Sequence, residues 1–167
     1  MECKLRPWKS TDLKSLVKYA NNWKIGKNMT DKFPYPYTEE AGKKFIEYAS
    51  GGEPLCIFAI EIRGEACGGI GVHPQEDIHK KNMELGYWLA EPLWGHGIVS
   101  KAIKEMVEYG FNTFPINRIF ARPYGSNKAS QRVLEKNGFV LEARLKNTIW
   151  KKDRFEDELI YAVRLDE

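Results

Sequence analysis

In WGHGIVSKAI, residues 94–103, two glycines flank a histidine at the mouth of a helix-like stretch. A turn of that kind lets a ligand come close to the backbone, because glycine has no Cβ in the way. The first amides of a helix have no partner inside it and carry partial positive charge. The ligand they suit is an anion, and a phosphate above all. The donors would be the backbone N–H groups of Gly95, His96, Gly97, Ile98, Val99 and Ser100. Without a ligand the same glycines are simply the punctuation of a turn. A Rossmann fingerprint fails here, since no third glycine follows at the required spacing and the strand at 118–123 ends on no acid for a ribose. A Walker A loop fails as well, because no Gly-Lys-Ser/Thr follows.

Glu84 lies inside MELGYWLA, residues 83–90, a run that is otherwise apolar. A carboxylate held short of solvent is a better proton acceptor than one in water. It could equally be a structural acid satisfied by backbone groups or an arginine. His73, just before Pro74, is a second candidate base, since histidine titrates near neutrality; an exposed strand-end histidine is the plainer reading. His79 and His96 read as surface residues. Asn127 and Ser130 stand three apart in a helical stretch and so share a face, and Asn127 also suits that helix as its N-cap.

Those residues need elements to hold them. Residues 2–7 read as a short strand. SerThrAsp at 10–12 offers N-cap chemistry to a helix with Leu13, Leu16, Val17 and Ala20 on one side. KFPYPY, 32–37, is a loop stiffened by proline. Thr38 with Glu39 and Glu40 starts a second helix, with Ala41, Phe45 and Ala49 on its core face and Gly51-Gly52 at its end. Residues 55–62 and 66–73 form a hairpin about Arg63-Gly64-Glu65, and 83–90 is a third strand of that run. A 3.6-residue period spans 98–114. Residues 118–123 read as a buried strand and 126–139 as a short helix closed by Gly138. Two strands follow near 140–150 and 156–164. Hairpin-linked strands exclude a doubly wound parallel sheet, and the strand–helix–strand unit excludes an all-antiparallel one, which leaves a mixed α+β fold.

The chain of 167 residues suits a single domain, 1–167, with one sizeable core. Hydrophobic residues make up 43% and charged ones 29%, an ordinary globular mixture. The 26 basic residues are offset by 23 acidic ones, and a net charge of +3 is too mild to argue for nucleic acid. Cys3, Cys56 and Cys67 show no metal-like spacing, and Cys56 and Cys67, in apolar strand-like segments, read as buried reduced thiols, which fits a cytoplasmic protein. No metal site, secretory signal or membrane span is expected.

The order strand, glycine turn, long helix, strand, Asn-bearing short helix, Gly-Phe resembles the GNAT superfamily of acetyl-CoA-dependent N-acetyltransferases. The residues that carry the likeness are ELGYWLAEPLWGHGIVSKAI (84–103), RIFARPYGSNKASQRVLEKNGF (118–139) and KKDRFEDELIYAVR (151–164). With the opening KLRPWKSTDL they cover nearly the whole chain. The sequence is most similar to the group of ribosomal-protein N-terminal alanine and serine acetyltransferases, through the NxxSxRVLEKxGF pattern of Asn127 to Phe139.

The resemblance implies a mixed, mostly antiparallel sheet of about seven strands with four helices, the acyl-CoA N-acyltransferase fold. It implies acetyl-CoA as cosubstrate and a primary amine, a protein N-terminus or a small molecule, as acceptor, and it allows a homodimer. Gly97 takes the first glycine of the family's pyrophosphate motif, Trp94 stands where Gln or Arg is usual, and Val99 replaces a final Gly or Ala. Free backbone groups of Trp88, Leu89 and Ala90 would pair with pantetheine, and Asn127 would bond its amide. A backbone N–H there could also polarise the thioester.

Glu84 is then the first choice of base, and either Ser130 holds the thiol sulfur or a water supplies its proton. Leu134 stands where many relatives place a tyrosine acid, so that mechanism does not carry over. Trp23, Phe33, Tyr35 and Tyr37 would shape the acceptor groove or cap the core. Asp153, Glu156 and Asp157 would draw a cationic amine or form a solvated turn. The alternative to an enzyme is a non-catalytic acyl-CoA-binding module of the same fold.

Overall fold

The computed structural model describes residues 1–166. Among these residues seven strands form one mixed sheet in the order β1-β2-β3-β4-β5-β7-β6, in which β4 and β5 pair parallel. The chain's contacts group it into two compact units, Met1–Gly71 with Tyr87–Ala102, and Val72–Gly86 with the chain from Ile103 onward.

In the first unit β1 (Lys4–Arg6) pairs antiparallel with β2 (Ile57–Ile62), which turns back into β3 (Glu65–Pro74). The turn places Arg63 at φ 52° and Gly64 at φ 83°, the double positive φ that a two-residue hairpin needs. α1 (Leu13–Ala20) and α3 (Glu39–Ala49) cover the strands. Thr38 caps α3 by accepting the Ala41 amide at 3.1 Å, as its sequence signal predicts. Gly42 lets the two helices meet closely, since a Cβ there would stand 2.7 Å from Leu13 Cδ1. Trp8, Leu16, Ile25, Tyr37, Ile46, Ala59 and Trp88 build the core beneath. Buried Arg6 binds both oxygens of Asp12, at 2.8 and 2.9 Å, and also pairs with Glu61. A short helix, α2 (Trp23–Gly26), lies in a stretch that reads as loop, so the described residues hold five helices rather than four. Asn22 caps it, accepting the Lys24 amide at 2.9 Å; an Asn-capped helix of one turn is too short to leave a periodic pattern.

In the second unit the leading half of β4 (Asn82–Leu89) runs parallel to β5 (Arg118–Ala121), with Glu84 opposite Phe120. A parallel pair needs a crossover, and α4 (Ile98–Thr113) supplies it, giving its first turn to one unit and the rest to the other. α5 (Lys128–Lys136) ends at Gly138, which takes φ 80°. The hairpin of β6 (Val140–Lys151) and β7 (Arg154–Arg164) completes the unit. Its register slips between Leu145 and Ile149, where Asn147 takes φ 52° and donates its amide to Asp157 at 2.9 Å.

Candidate active site

The candidate residues fall in both units. In the first, the glycine turn has the geometry that an anion cradle requires. Gly95 and Gly97 take φ 79° and 73°, a region open to glycine and strained for other residues, and nothing lies within 4 Å of where their Cβ atoms would be. Lys101 N donates to Gly97 O at 3.2 Å, so Gly97 is the residue that caps α4 and the Ile98, Val99 and Ser100 amides sit in its first turn. The Ile98 side chain is buried, which anchors that turn, while Gly95, His96 and Gly97 are exposed. Trp94 does not contribute charge as an arginine would. Its indole N–H donates to the Leu89 carbonyl at 2.8 Å and pins the turn to the end of β4. His96 Nδ1 lies 3.1 Å from the Leu93 carbonyl oxygen, a second brace. Glu91 binds Asn22 Nδ2 at 2.8 Å and Lys24 Nζ at 2.5 Å, which ties α2 to the segment before the turn.

The end of β4 corrects one expectation. Ala90 N donates to Cys67 O at 2.8 Å and Ala90 O accepts from Leu93 N at 3.0 Å. Both backbone groups are spent within the chain, so Ala90 offers no free pair to a ligand. The sequence shows that β4 must end near here, but not that the amide pairs with β3 while the following turn folds back on to the carbonyl. At Gly68 a Cβ would stand 2.5 Å from Trp88 O, so β3 carries glycine where β4 approaches most closely. The aromatic loop divides as well. Tyr37 is buried, and Phe33 meets it in a tilted contact with centroids 5.0 Å apart and meets Trp88 edge-on at 5.9 Å, which caps the core. Tyr35, stacked on Trp23 at 5.3 Å, is about half exposed. Burial pushes the Cys56 and Cys67 thiols up, which keeps both protonated and unreactive.

In the second unit Glu84 is not a lone carboxylate in an apolar setting. Arg122, just past β5, holds it in a two-pronged pair: Nη2 to Oε1 at 2.7 Å and Nε to Oε2 at 3.0 Å. Arg122 is the residue that the sequence reading missed. The signal existed, because parallel register sets Phe120 beside Glu84 and the residue two further on shares that face. The hydrogen bond to Glu84 raises the Arg122 pKa further above its ordinary value. His73 on β3 is half-buried, and burial lowers its pKa below the usual value against the opposing pull of Glu84.

Asn127 is the N-cap of α5, accepting the Ser130 amide at 3.3 Å, so the structural half of its expected double role is present. Ser130 is half-buried on the same face. Leu134 is fully buried and belongs to the core. Two of the acidic residues near the last hairpin are engaged, Asp157 with Arg144 at 2.6 Å and Glu156 with the Ser126 hydroxyl at 2.9 Å, while Asp153 is exposed in the turn at φ 62°. His79 is exposed, as expected. Among the described residues, no group of three His, Cys, Asp or Glu side chains could hold a metal ion. No described helix is long and apolar enough to cross a membrane.

Comparison with known proteins bears on what this arrangement does. A family model described as the acetyltransferase (GNAT) domain matches residues 3–140. The ribosomal-protein-serine acetyltransferase of Escherichia coli (strain K12) is 31% identical over 110 residues, which cover 66% of this chain and 61% of that one. The chain spans between 54% and 61% of the length of four such curated relatives. An uncharacterized N-acetyltransferase of Bacillus subtilis (strain 168), YnaD, is 28% identical over 98% of this chain and 94% of its own. The fold is also that of RimL, a ribosomal L7/L12 alpha-N-protein acetyltransferase solved with coenzyme A, at TM-score 0.85 and 24% identity over 98% of this chain and 94% of that one.

Proposed function

This chain belongs to the GNAT acetyltransferase family, and from that premise we propose that it transfers the acetyl group of acetyl-CoA to a primary amine in a ternary complex. The observation that carries the reading is the glycine turn: two glycines at positive φ, open in front, ahead of the first amides of α4. Backbone donors from Gly95 to Ser100 bind the pyrophosphate in this reading, and the helix supplies the field. They serve whatever the side chain at 99 is, so Val99 is compatible with the role. Trp88 and Leu89 carry the backbone contacts to pantetheine. The side-chain amide of Asn127 adds a further one, and its capping bond holds it in place. Ser130 steadies the departing sulfur. Acetyl transfer then requires a neutral amine, an oriented thioester and a proton for the thiolate.

The relatives named for ribosomal proteins support a protein N-terminus as acceptor, and a small amine is the other member of the same chemical class. An α-amine with a pKa of about 8 needs only modest help to lose its proton. Three free cysteines support a cytoplasmic setting.

Titration calorimetry with acetyl-CoA, against pantetheine as a control without phosphate, tests the cradle. Tight binding of acetyl-CoA with a large loss for pantetheine is the expected result. Binding without turnover of any amine would move the protein to the second reading, an acyl-CoA-binding module, which the fully buried Leu134 in place of a tyrosine acid keeps open. No binding of either would remove both.

A further inference from the structure

Glu84 and His73 exchange the roles that their residue types suggest. The Glu84 carboxylate is held by both prongs of Arg122, at 2.7 and 3.0 Å, and a third approach, Nε to Oε1, lies at 3.2 Å. Both oxygens of that carboxylate already accept from Arg122, which turns it towards the guanidinium. His73 stands across from it on the neighbouring strand. No bond to its ring occurs among the described residues: its backbone carbonyl accepts from Gln75 Nε2 at 3.2 Å, while the ring nitrogens are left unbonded. The residue beside the ring is Gly86, where a Cβ would come within 3.7 Å of Nε2. Glycine there leaves the ring edge uncovered on the face of β4 that Glu84 shares.

We infer that the His73 imidazole, not the Glu84 carboxylate, accepts the proton of the attacking amine, and that Arg122 and Glu84 act as positioning residues for it. This rests on the acetyl-transfer reading above. In the step, the amine nitrogen forms a bond to the thioester carbonyl carbon and the carbon–sulfur bond breaks. The proton lost from nitrogen goes to His73 Nε2, and the thiolate takes one proton from solvent, so amide and free thiol are the products. The imidazolium then faces Glu84, whose charge Arg122 has partly spent. That division has a purpose: a fully free carboxylate would hold His73 protonated before reaction. Glu84 on β4 is the charged group acting on the ring; Arg122 acts through Glu84, and Glu158 on β7 acts on Arg122 in turn. Because burial holds the ring neutral, it is ready to accept at neutral pH.

The test uses the full chain, acetyl-CoA and a peptide with an N-terminal serine, scored as coenzyme A released across pH. His73→Gln is expected to lower kcat by about a hundredfold or more and to abolish the acid limb of the kcat profile, with acetyl-CoA affinity unchanged by calorimetry. Arg122→Gln frees the carboxylate, so the acid limb should move to higher pH. Glu84→Gln should move it lower. The C2 proton resonance of His73 should follow the same two directions in the protein without substrate. An active wild type whose His73→Gln variant keeps its rate and its acid limb overturns the inference alone, and so does a His73 resonance indifferent to Glu84→Gln. A wild type that binds acetyl-CoA but acetylates neither this peptide nor a panel of amines overturns the transferase reading, and the inference with it.

Discussion

A glycine at positive φ with open space in front of it is the smallest unit of this site. Gly97 takes φ 73° with nothing within 4 Å of its missing Cβ. Gly97→Val therefore pays strain of about 1–3 kcal/mol and also puts a branched side chain where the phosphate would lie. Acetyl-CoA affinity should fall at least about tenfold, which calorimetry will show, with a modest drop in melting temperature. Gly68 is the opposite case, required by packing rather than by φ. A Cβ there would meet Trp88 O at 2.5 Å and Leu89 Cα at 3.2 Å. Gly68→Ala should destabilise by about 1–3 kcal/mol in urea titration, because neither of those atoms can move without shifting the strand.

At the scale of the element, α5 shows one residue serving two ends. Asn127→Ala removes the cap that accepts the Ser130 amide and should cost about 1 kcal/mol of stability. If the side chain also bonds pantetheine, affinity falls too, whereas Asn127→Ser keeps the cap and loses only the contact. Comparing the two variants by thermal melt and calorimetry separates the roles. β1 depends on a buried charge group. Arg6 and Asp12 are each about 8% exposed at the side chain, and Glu61 completes the set. Arg6→Met leaves two carboxylates without their cation and should cost about 3–5 kcal/mol, read as a shift in the urea midpoint. The sequence offered no hint of that triad, because Glu61 reaches Arg6 only through the pairing of β1 with β2, and Asp12 only through the turn that follows β1.

For the whole molecule, buried titratable groups set the response to acid. Burial lowers the His73 pKa in the folded state below its unfolded value of about 6.5. The unfolded chain then binds more protons as pH falls through that value, so folding stability is complete above it and is lost progressively below it. Desolvation alone would raise Asp12, but Arg6 and the Lys9 amide outweigh it, and Arg6 lowers Glu61 directly. Those two carboxylates lose their stabilising contribution as the pH falls further, through the carboxylate range and below. Urea midpoints should therefore decline between pH 7 and pH 5, and the decline should be shallower in His73→Gln.

The order of elements, the glycine turn and the cap of α5 were legible because each is written locally. Apolar period marks the helices and strands, positive φ demands glycine, and a helix start asks for an Asn or Thr. Family and cosubstrate class could be read from the same stretches, since the proposed anion cradle is made of contiguous backbone. What the residues could not state is which side chains meet. Which arginine would satisfy Glu84 is settled when parallel pairing sets Arg122 on its face, and the Ala90 amide looks open until Cys67 on the neighbouring strand takes it up. Each of those was decided by register and closure, which depend on hydrogen bonds between residues distant in the chain, and no local pattern encodes them.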